Sequence, residues 1–292
     1  GVLMKIKILI PIYNDWQSAE KLINYIDNLV KEIDHEFSII IVNDASTENK
    51  PDGFGRSENL HSLKILNIKN NIGHARCIAT GLNHIFQNEE FDYVIPMDGD
   101  GEDRPEEIKI FIDNMSYHPN LPIVGERVKR SEGIIFKISY FIHKLITFTF
   151  AGKSIKFGNY TLLPKTTVEK LINDKATWSS FSGALSKLEK NLATIPSERG
   201  IRYFGPSKMN FLNLIKHSIS IIAVFKSSVI IRSIAFYAIY LILISNNISI
   251  ITCIPLAIIV IFGVFVVKIS QRENLTELKN SLSNVEDIIS IK

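Results

Sequence analysis

Cysteine is scarce in this chain. Cys77 and Cys253 are the only two in 292 residues, and they fall in very different contexts. A disulfide framework is therefore not expected, which fits a catalytic part in a reducing compartment. Both common nucleotide-binding glycine signatures are missing. No Gly-x-Gly-x-x-Gly follows the first apolar run, and no Gly-x-x-x-x-Gly-Lys-Ser/Thr occurs anywhere. Hydride transfer on a dinucleotide and phosphate-loop ATP hydrolysis are disfavoured accordingly. A net charge of only +3 argues against a nucleic-acid binder. Met4-Lys5-Ile6-Lys7 runs straight into Ile8-Leu9-Ile10, too short for a signal core, so no signal peptide is expected.

What is present is concentrated. The apolar run 91–97 ends abruptly in Asp98-Gly99-Asp100-Gly101-Glu102-Asp103. That pattern predicts a buried strand opening into an acidic loop. Asp98 and Asp100 can bend toward one ion, and hard carboxylates suit Mg2+ or Mn2+. A solvated turn that caps the next helix, entered at Pro105, is the alternative.

Apolar strands are expected at 5–10, 37–42, 62–68 and 91–97, with helices between them. This alternation predicts a mostly parallel sheet covered by helices. Ligands bind beyond the carboxyl ends of such strands, where Asp15, Asp44, Asn71 and Asp98 all lie. Asp15 and Asp44 suit a base or ribose, or serve as turn-forming acids. A fifth strand at 121–125 leads to Glu126-Arg127-Val128-Lys129-Arg130, whose cations suit phosphate. The aromatic stretch 134–150 reads as a helix for core or lipid. A strand is expected at 155–163.

Residues 196–208 carry Arg199, Arg202 and Lys208 immediately before a membrane-like part. Residues 227–245 are nearly all apolar, interrupted by Arg232, and residues 248–267 carry no charge; both have the length of a membrane-crossing helix. Lys216, Lys226 and Arg232 precede this pair, and Lys268 and Arg272 follow it. That bias places both outer ends in the cytoplasm. The expected division is a catalytic domain over 1–210, a juxtamembrane amphipathic segment over 211–226, a transmembrane hairpin over 227–268 and a cytoplasmic tail over 269–292. The tail reads as a surface helix without chemical signal.

Several motifs together resemble a known family. They are Ile10-Pro11-Ile12-Tyr13-Asn14-Asp15, Val42-Asn43-Asp44-Ala45-Ser46, Asn71-Ile72-Gly73-His74-Ala75-Arg76 closing at Gly81, Asp98-Gly99-Asp100, and Gly205-Pro206-Ser207-Lys208. Over residues 5–268 the chain resembles the membrane-anchored family-two glycosyltransferases of GT-A fold, most of all the polyprenyl-phosphate (dolichyl-phosphate) glycosyltransferases. The resemblance implies a nucleotide-sugar donor, contacted by Pro11, Tyr13, Asn14, Asp15, Asp44, Asn71, Gly73, Arg76 and Asp98. It implies Mg2+ or Mn2+ on Asp98 and Asp100. The acceptor would be a polyprenyl phosphate or other lipid-linked molecule at the cytoplasmic membrane face, among membrane lipids. Arg202 and Lys208 are expected on the acceptor, while Arg127 and Arg130 could face either phosphate. A homo-oligomer stays open.

One departure bears on chemistry. Where the family often has Gly-Asp-Phe-Arg, this chain has Lys156-Phe157-Gly158-Asn159-Tyr160-Thr161-Leu162. The acid that serves related sugar-hydroxyl transferases as general base is gone. A phosphate acceptor is already ionised and needs no such base. Hydroxyl-directed transfer, with Glu126 or Glu198 as base, and a non-catalytic membrane scaffold are the other readings.

Overall fold

The structure, a computed structural model, describes residues 2–129, 134–206 and 210–292. Arg130 and Lys208, both expected at the site, lie outside the described residues. β-branched runs build the centre of the sheet, as expected for strands buried on both faces. β1 (Lys5–Ile12) lies between β2 (Glu36–Asn43) and β4 (Tyr93–Pro96), and β3 (Ser62–Ile68) flanks β2; these pairs are all parallel. Beyond β4 come β6 (Thr161–Pro164), β5 (Ile123–Lys129) and β7 (Ala193–Glu198). Among the described residues the strand order is β7-β5-β6-β4-β1-β2-β3-β8, β8 being Val285–Ser290. Only the β4–β6, β5–β6 and β3–β8 pairs are antiparallel.

Helices cover both faces. α1 (Trp16–Val30) and α3 (Glu107–Met115) pack on one side with Ile8, Ile39, Ile41 and Ile95. α2 (His74–Asn88), α5 (Lys165–Ile172) and α6 (Phe181–Leu188) pack on the other with Leu9, Ile40 and Val94. Gly81 marks the closest approach, since a Cβ there would lie 2.3 Å from Leu9. The expected parallel sheet is therefore present, with its crossover helices.

Four local expectations need correction. The cationic segment after residue 125 is not a loop, because β5 continues to Lys129 on its pairing with β7. The strand expected at 155–163 is reduced to β6, because β5 meets the preceding residues irregularly, with Gly125 N–H on the Tyr160 carbonyl and Arg127 N–H on that of Lys156. The helix expected to 150 ends as α4 (Ile134–Ile146), and a π-helical turn follows over Thr147–Ala151. The tail is not a surface helix: after the short α10 (Leu275–Lys279) it forms β8 (Val285–Ser290) on the β3 edge. An uncovered edge strand exposes unpaired backbone groups, and β8 satisfies them.

α7 (Phe211–Ala223), α8 (Lys226–Ile244) and α9 (Ile250–Ser270) stand between β7 and the tail. α8 and α9 are long and apolar enough to cross a membrane by length and composition. Most of their apolar side chains are exposed, among them Ile231, Leu243, Ile250 and Val264. Arg232 donates to the Thr149 carbonyl at 3.2 Å, tying the first turns of α8 to the middle of the π-helical turn.

Asp27, buried on α1, accepts from the backbone N–H groups of Glu58, Asn59 and Leu60. Burial acts to raise its pKa, but the N–H groups of Glu58, Leu60 and Asn59 outweigh it and the pKa is lowered. Its contribution is therefore complete above the unfolded aspartate value near ~3.9 and is lost as pH falls through the lower folded value. Asp27→Ala should cost about 1–3 kcal/mol at neutral pH, the penalty for stranded buried donors. Denaturant unfolding of the purified chain at pH 7 and in the acid limb measures both effects.

Candidate active site

Where β4 stops, the chain turns through the acids. Gly101 has φ +93, and a Cβ there would lie 2.5 Å from the Tyr203 ring. Glycine thus lets the segment after β7 lie directly on the acidic loop. Gly200 N–H donates to the Glu102 carbonyl and Tyr203 N–H to the Asp100 carbonyl, each at 2.8 Å. Arg199 adds an ion pair with Glu102.

Arg202, expected on the acceptor, lies against two of the acids expected at the donor. Its guanidinium donates to Asp100 Oδ2 at 2.9 Å and to Asp15 Oδ2 at 2.6 Å. The three side chains are 12–18% exposed. The cause is topological. β1 and β4 are adjacent and parallel, so Asp15 and Asp100 leave the same edge of the sheet. The strap after β7 then delivers Arg202 between them.

Asp98 has different company. Its Oδ1 lies 3.0 Å from His74 Nε2, and its N–H donates to Asp103 Oδ2 at 2.9 Å. Asn159 Nδ2 is 2.9 Å from the same His74 nitrogen. Arg127 passes Gly158, where a Cβ would lie 3.2 Å from its guanidinium. Burial opposes ionisation of Asp98, but His74 and Arg127 hold its carboxyl well below the usual range. Burial and the neighbouring Asp98 and Glu102 push Asp100 up to about 6. Burial and Asp98 push Asp103 up to about 8.

The other expected residues build the walls. Asp44 is buried, and its two oxygens accept from Ile72 N–H at 2.7 Å and Gly73 N–H at 3.0 Å. Asn71 donates to the Asp44 carbonyl at 3.2 Å. Asn14 accepts from Thr47 N–H at 2.8 Å and Glu48 N–H at 3.0 Å, stitching the first loop to the second. Pro11 is buried in β1 opposite Val42, Tyr13 is exposed, and the space above Gly73 is open. Arg76 is the outlier. It stacks 5.1 Å from the Trp178 ring centroid and lies 3.8 Å from Glu277, facing the C-terminal segment. Of the two alternative bases, Glu126 pairs with Lys156 at 3.2 Å and Glu198 with Arg104 at 3.3 Å.

His74, Asp103 and Asn159 were not picked out from the sequence. His74 was within reach of the same reasoning, because α2 starts at the ligand-binding edge of a parallel sheet. Among the described residues no three His, Cys, Asp or Glu side chains form a ready-made metal cage. The acids nonetheless suit a hard cation that shares its shell with substrate. Asp98 Oδ1 is buried without an aligned hydrogen bond. A site with one or two carboxylates, completed by phosphate and water, is usual for Mg2+. Asp100 would join by exchanging its Arg202 contact.

The Glycosyl transferase family 2 model matches residues 7–168. Among solved structures, the chain is similar to glucosyl-3-phosphoglycerate synthase from Mycobacterium tuberculosis in complex with Mn2+, UDP-glucose and phosphoglyceric acid, with TM-score 0.55 and 13% identity over 77% of this chain and 80% of that one. It is also similar to mannosyl-3-phosphoglycerate synthase from Rubrobacter xylanophilus, with TM-score 0.53 and 14% identity over 76% and 72%. At such identities the likeness establishes the fold.

Arg202, Asp100 and Asp15 should act as one unit. In a double-mutant cycle on unfolding free energy, Arg202→Ala and Asp100→Asn should couple by about 0.5–3 kcal/mol. A coupling within error of zero would mean that solvent screens the pair.

Proposed function

The chain belongs to glycosyltransferase family 2, and from that premise we propose that it moves a sugar from a nucleoside-diphosphate donor to a lipid-borne phosphate, such as a polyprenyl phosphate, at the cytoplasmic face of a membrane. The observation that carries this reading is the joining of the acidic loop, through the Arg199–Tyr203 strap, to α7 and two exposed apolar helices. Asp98 and Asp100 would hold Mg2+ or Mn2+. When bound, that cation offsets the charge that develops on the diphosphate leaving group. Asp15, Asn14 and the Asp44–Gly73 junction shape the wall for the nucleoside. Arg127, beside Asp98, suits the negative charge that gathers between donor and acceptor.

No base is required of this chain in that reaction, because a phosphate acceptor is ionised at neutral pH. This agrees with the environments of Glu126 and Glu198, each engaged with a cation. A phosphate-bearing small molecule is the second reading. It is favoured by the likeness to a synthase whose structure holds phosphoglyceric acid. The membrane reading draws support from Arg232, whose carbonyl partner gives the charge a place at the start of α8.

Membranes carrying the chain, incubated with radiolabelled nucleotide sugars, should yield label that extracts into organic solvent and disappears with chelator. Asp98→Asn should lower that yield by about a hundredfold or more, since several kcal/mol of charge stabilisation are lost. Label confined to a water-soluble phosphate ester would favour the second reading. For topology, in a Cys253→Ser background, a cysteine at Asn247 should react with an impermeant thiol reagent from outside. A cysteine at Glu286 should react only after the membrane is opened.

A further inference from the structure

We propose that His74 is a ligand of the divalent cation held by Asp98, and that its imidazole makes the site favour Mn2+ over Mg2+. This rests on the reading of Asp98 as a metal ligand. The first observation is a conflict at one nitrogen. His74 Nε2 lies 3.0 Å from Asp98 Oδ1 and 2.9 Å from Asn159 Nδ2. With a proton on Nε2, the ring suits the carboxylate but opposes the amide donor. With a lone pair there, it suits the amide and opposes the carboxylate. Turning the Asn159 amide leaves its oxygen and Asp98 Oδ1 to share one proton. In the first two states one contact goes unmet, in the third the proton is divided, and Asp98 Oδ1 has no aligned hydrogen bond.

A cation removes the conflict. It takes the carboxylate oxygen and the imidazole lone pair together. Typical metal–ligand distances of about 2.0–2.2 Å put neighbouring ligand atoms about 3 Å apart, which matches the His74–Asp98 separation. Position supports the same assignment. His74 is the first residue of α2, and Asp44 fixes the turn before it through the Ile72 and Gly73 N–H groups. The ring is thus delivered by a rigid element rather than a free loop. Asp98 and Asp100 alone are an all-oxygen set, to which Mg2+ and Mn2+ are both suited. A nitrogen ligand shifts the balance, because imidazole suits later and softer divalent metals more than it suits Mg2+.

The experiment is electron spin-echo modulation of Mn2+ bound to the full chain in detergent, together with Mn2+ and Mg2+ titrations by calorimetry. Wild type should show 14N modulation from a directly bound nitrogen. His74→Gln should lose it, with Mn2+ affinity falling about tenfold or more and Mg2+ affinity falling less. His217 interacts electrostatically with His74, His143 and Asp98, so His217→Gln is the control and should keep the modulation. Modulation that survives in His74→Gln overturns the assignment. So does wild type without 14N modulation when Asp98→Asn abolishes Mn2+ binding, and then the reading of Asp98 as a metal ligand stands. Mn2+ binding untouched by Asp98→Asn overturns that reading and this assignment with it. The wild-type spectrum needs no variant, so a misfolded substitution leaves the test intact.

Discussion

Like charge at short range is what this structure has to resolve. Asp15, Asp98, Asp100, Glu102 and Asp103 all gather past the ends of β1 and β4. Two unit charges 4 Å apart at an effective dielectric of 20 repel by about 4 kcal/mol. Burial first, and that repulsion after it, produce the upward shifts of Asp100 and Asp103. The offsetting charges come from distant parts of the chain: Arg199 and Arg202 from the strap after β7, Arg127 from β5 and His74 from α2. The acidic loop therefore holds its shape only when the edge strands and the strap are in place. A site assembled this way is completed by folding and is tuned to accept more positive charge.

The strap also sets the distance between chemistry and the apolar helices. Arg202 and the first residue of α7 are nine positions apart. Whatever pulls Arg202 away from Asp15 and Asp100 acts on a chain directly continuous with α7. A diphosphate with its cation would offer Asp100 a stronger partner than a guanidinium, and would offer Arg202 phosphate oxygens in place of carboxylates. Exchange of partners at the acids would therefore bear on the strap as well.

The features legible in the sequence were those carried by local pattern. Runs such as Ile39-Ile40-Ile41-Val42 announce buried strands, and strand–helix alternation announces a parallel sheet with its polar loops at one edge. Asp98 and Asp100 were readable because a buried strand ending in acids has few other uses. Contacts across long separations were not readable. Nothing near Arg202 points to Asp15, 187 residues away. Arg127 reads as a loop residue because its strand is stabilised by pairing with β7 rather than by its own composition. β8 escaped notice for a similar reason. As an edge strand with a mostly exposed face it carries no alternation, and its stability comes from β3 and from Lys292, which donates to the Glu58 carbonyl at 2.7 Å. Asp44 and Arg76 show the converse: their motifs are legible, but the contacts of their side chains with the loop before α2 and with the C-terminal segment are not.

The return of the tail to the sheet constrains the proposed anchoring. β7 and β8 belong to one sheet, so the chain entering α7 and the chain leaving α9 are on the same side of any membrane. If α8 crosses, α9 must cross back. Depth follows from Arg232. From that residue to Ile244 the helix rises only about 18 Å, short of the ~30 Å hydrocarbon layer. If α8 crosses, the Arg232–Thr149 contact would have to lie at or below the interfacial layer rather than above it, and the π-helical turn that supplies the carbonyl would go down with it. Ile138, Phe141, Leu145 and Phe148 are exposed on that same segment. At that depth acyl chains would solvate them, and Lys144 would be long enough to reach the headgroups. On the proposed anchoring, the exposed apolar side of α4 and the short apolar length of α8 would have one explanation, a catalytic domain partly sunk into the surface on which the proposed acceptor would lie.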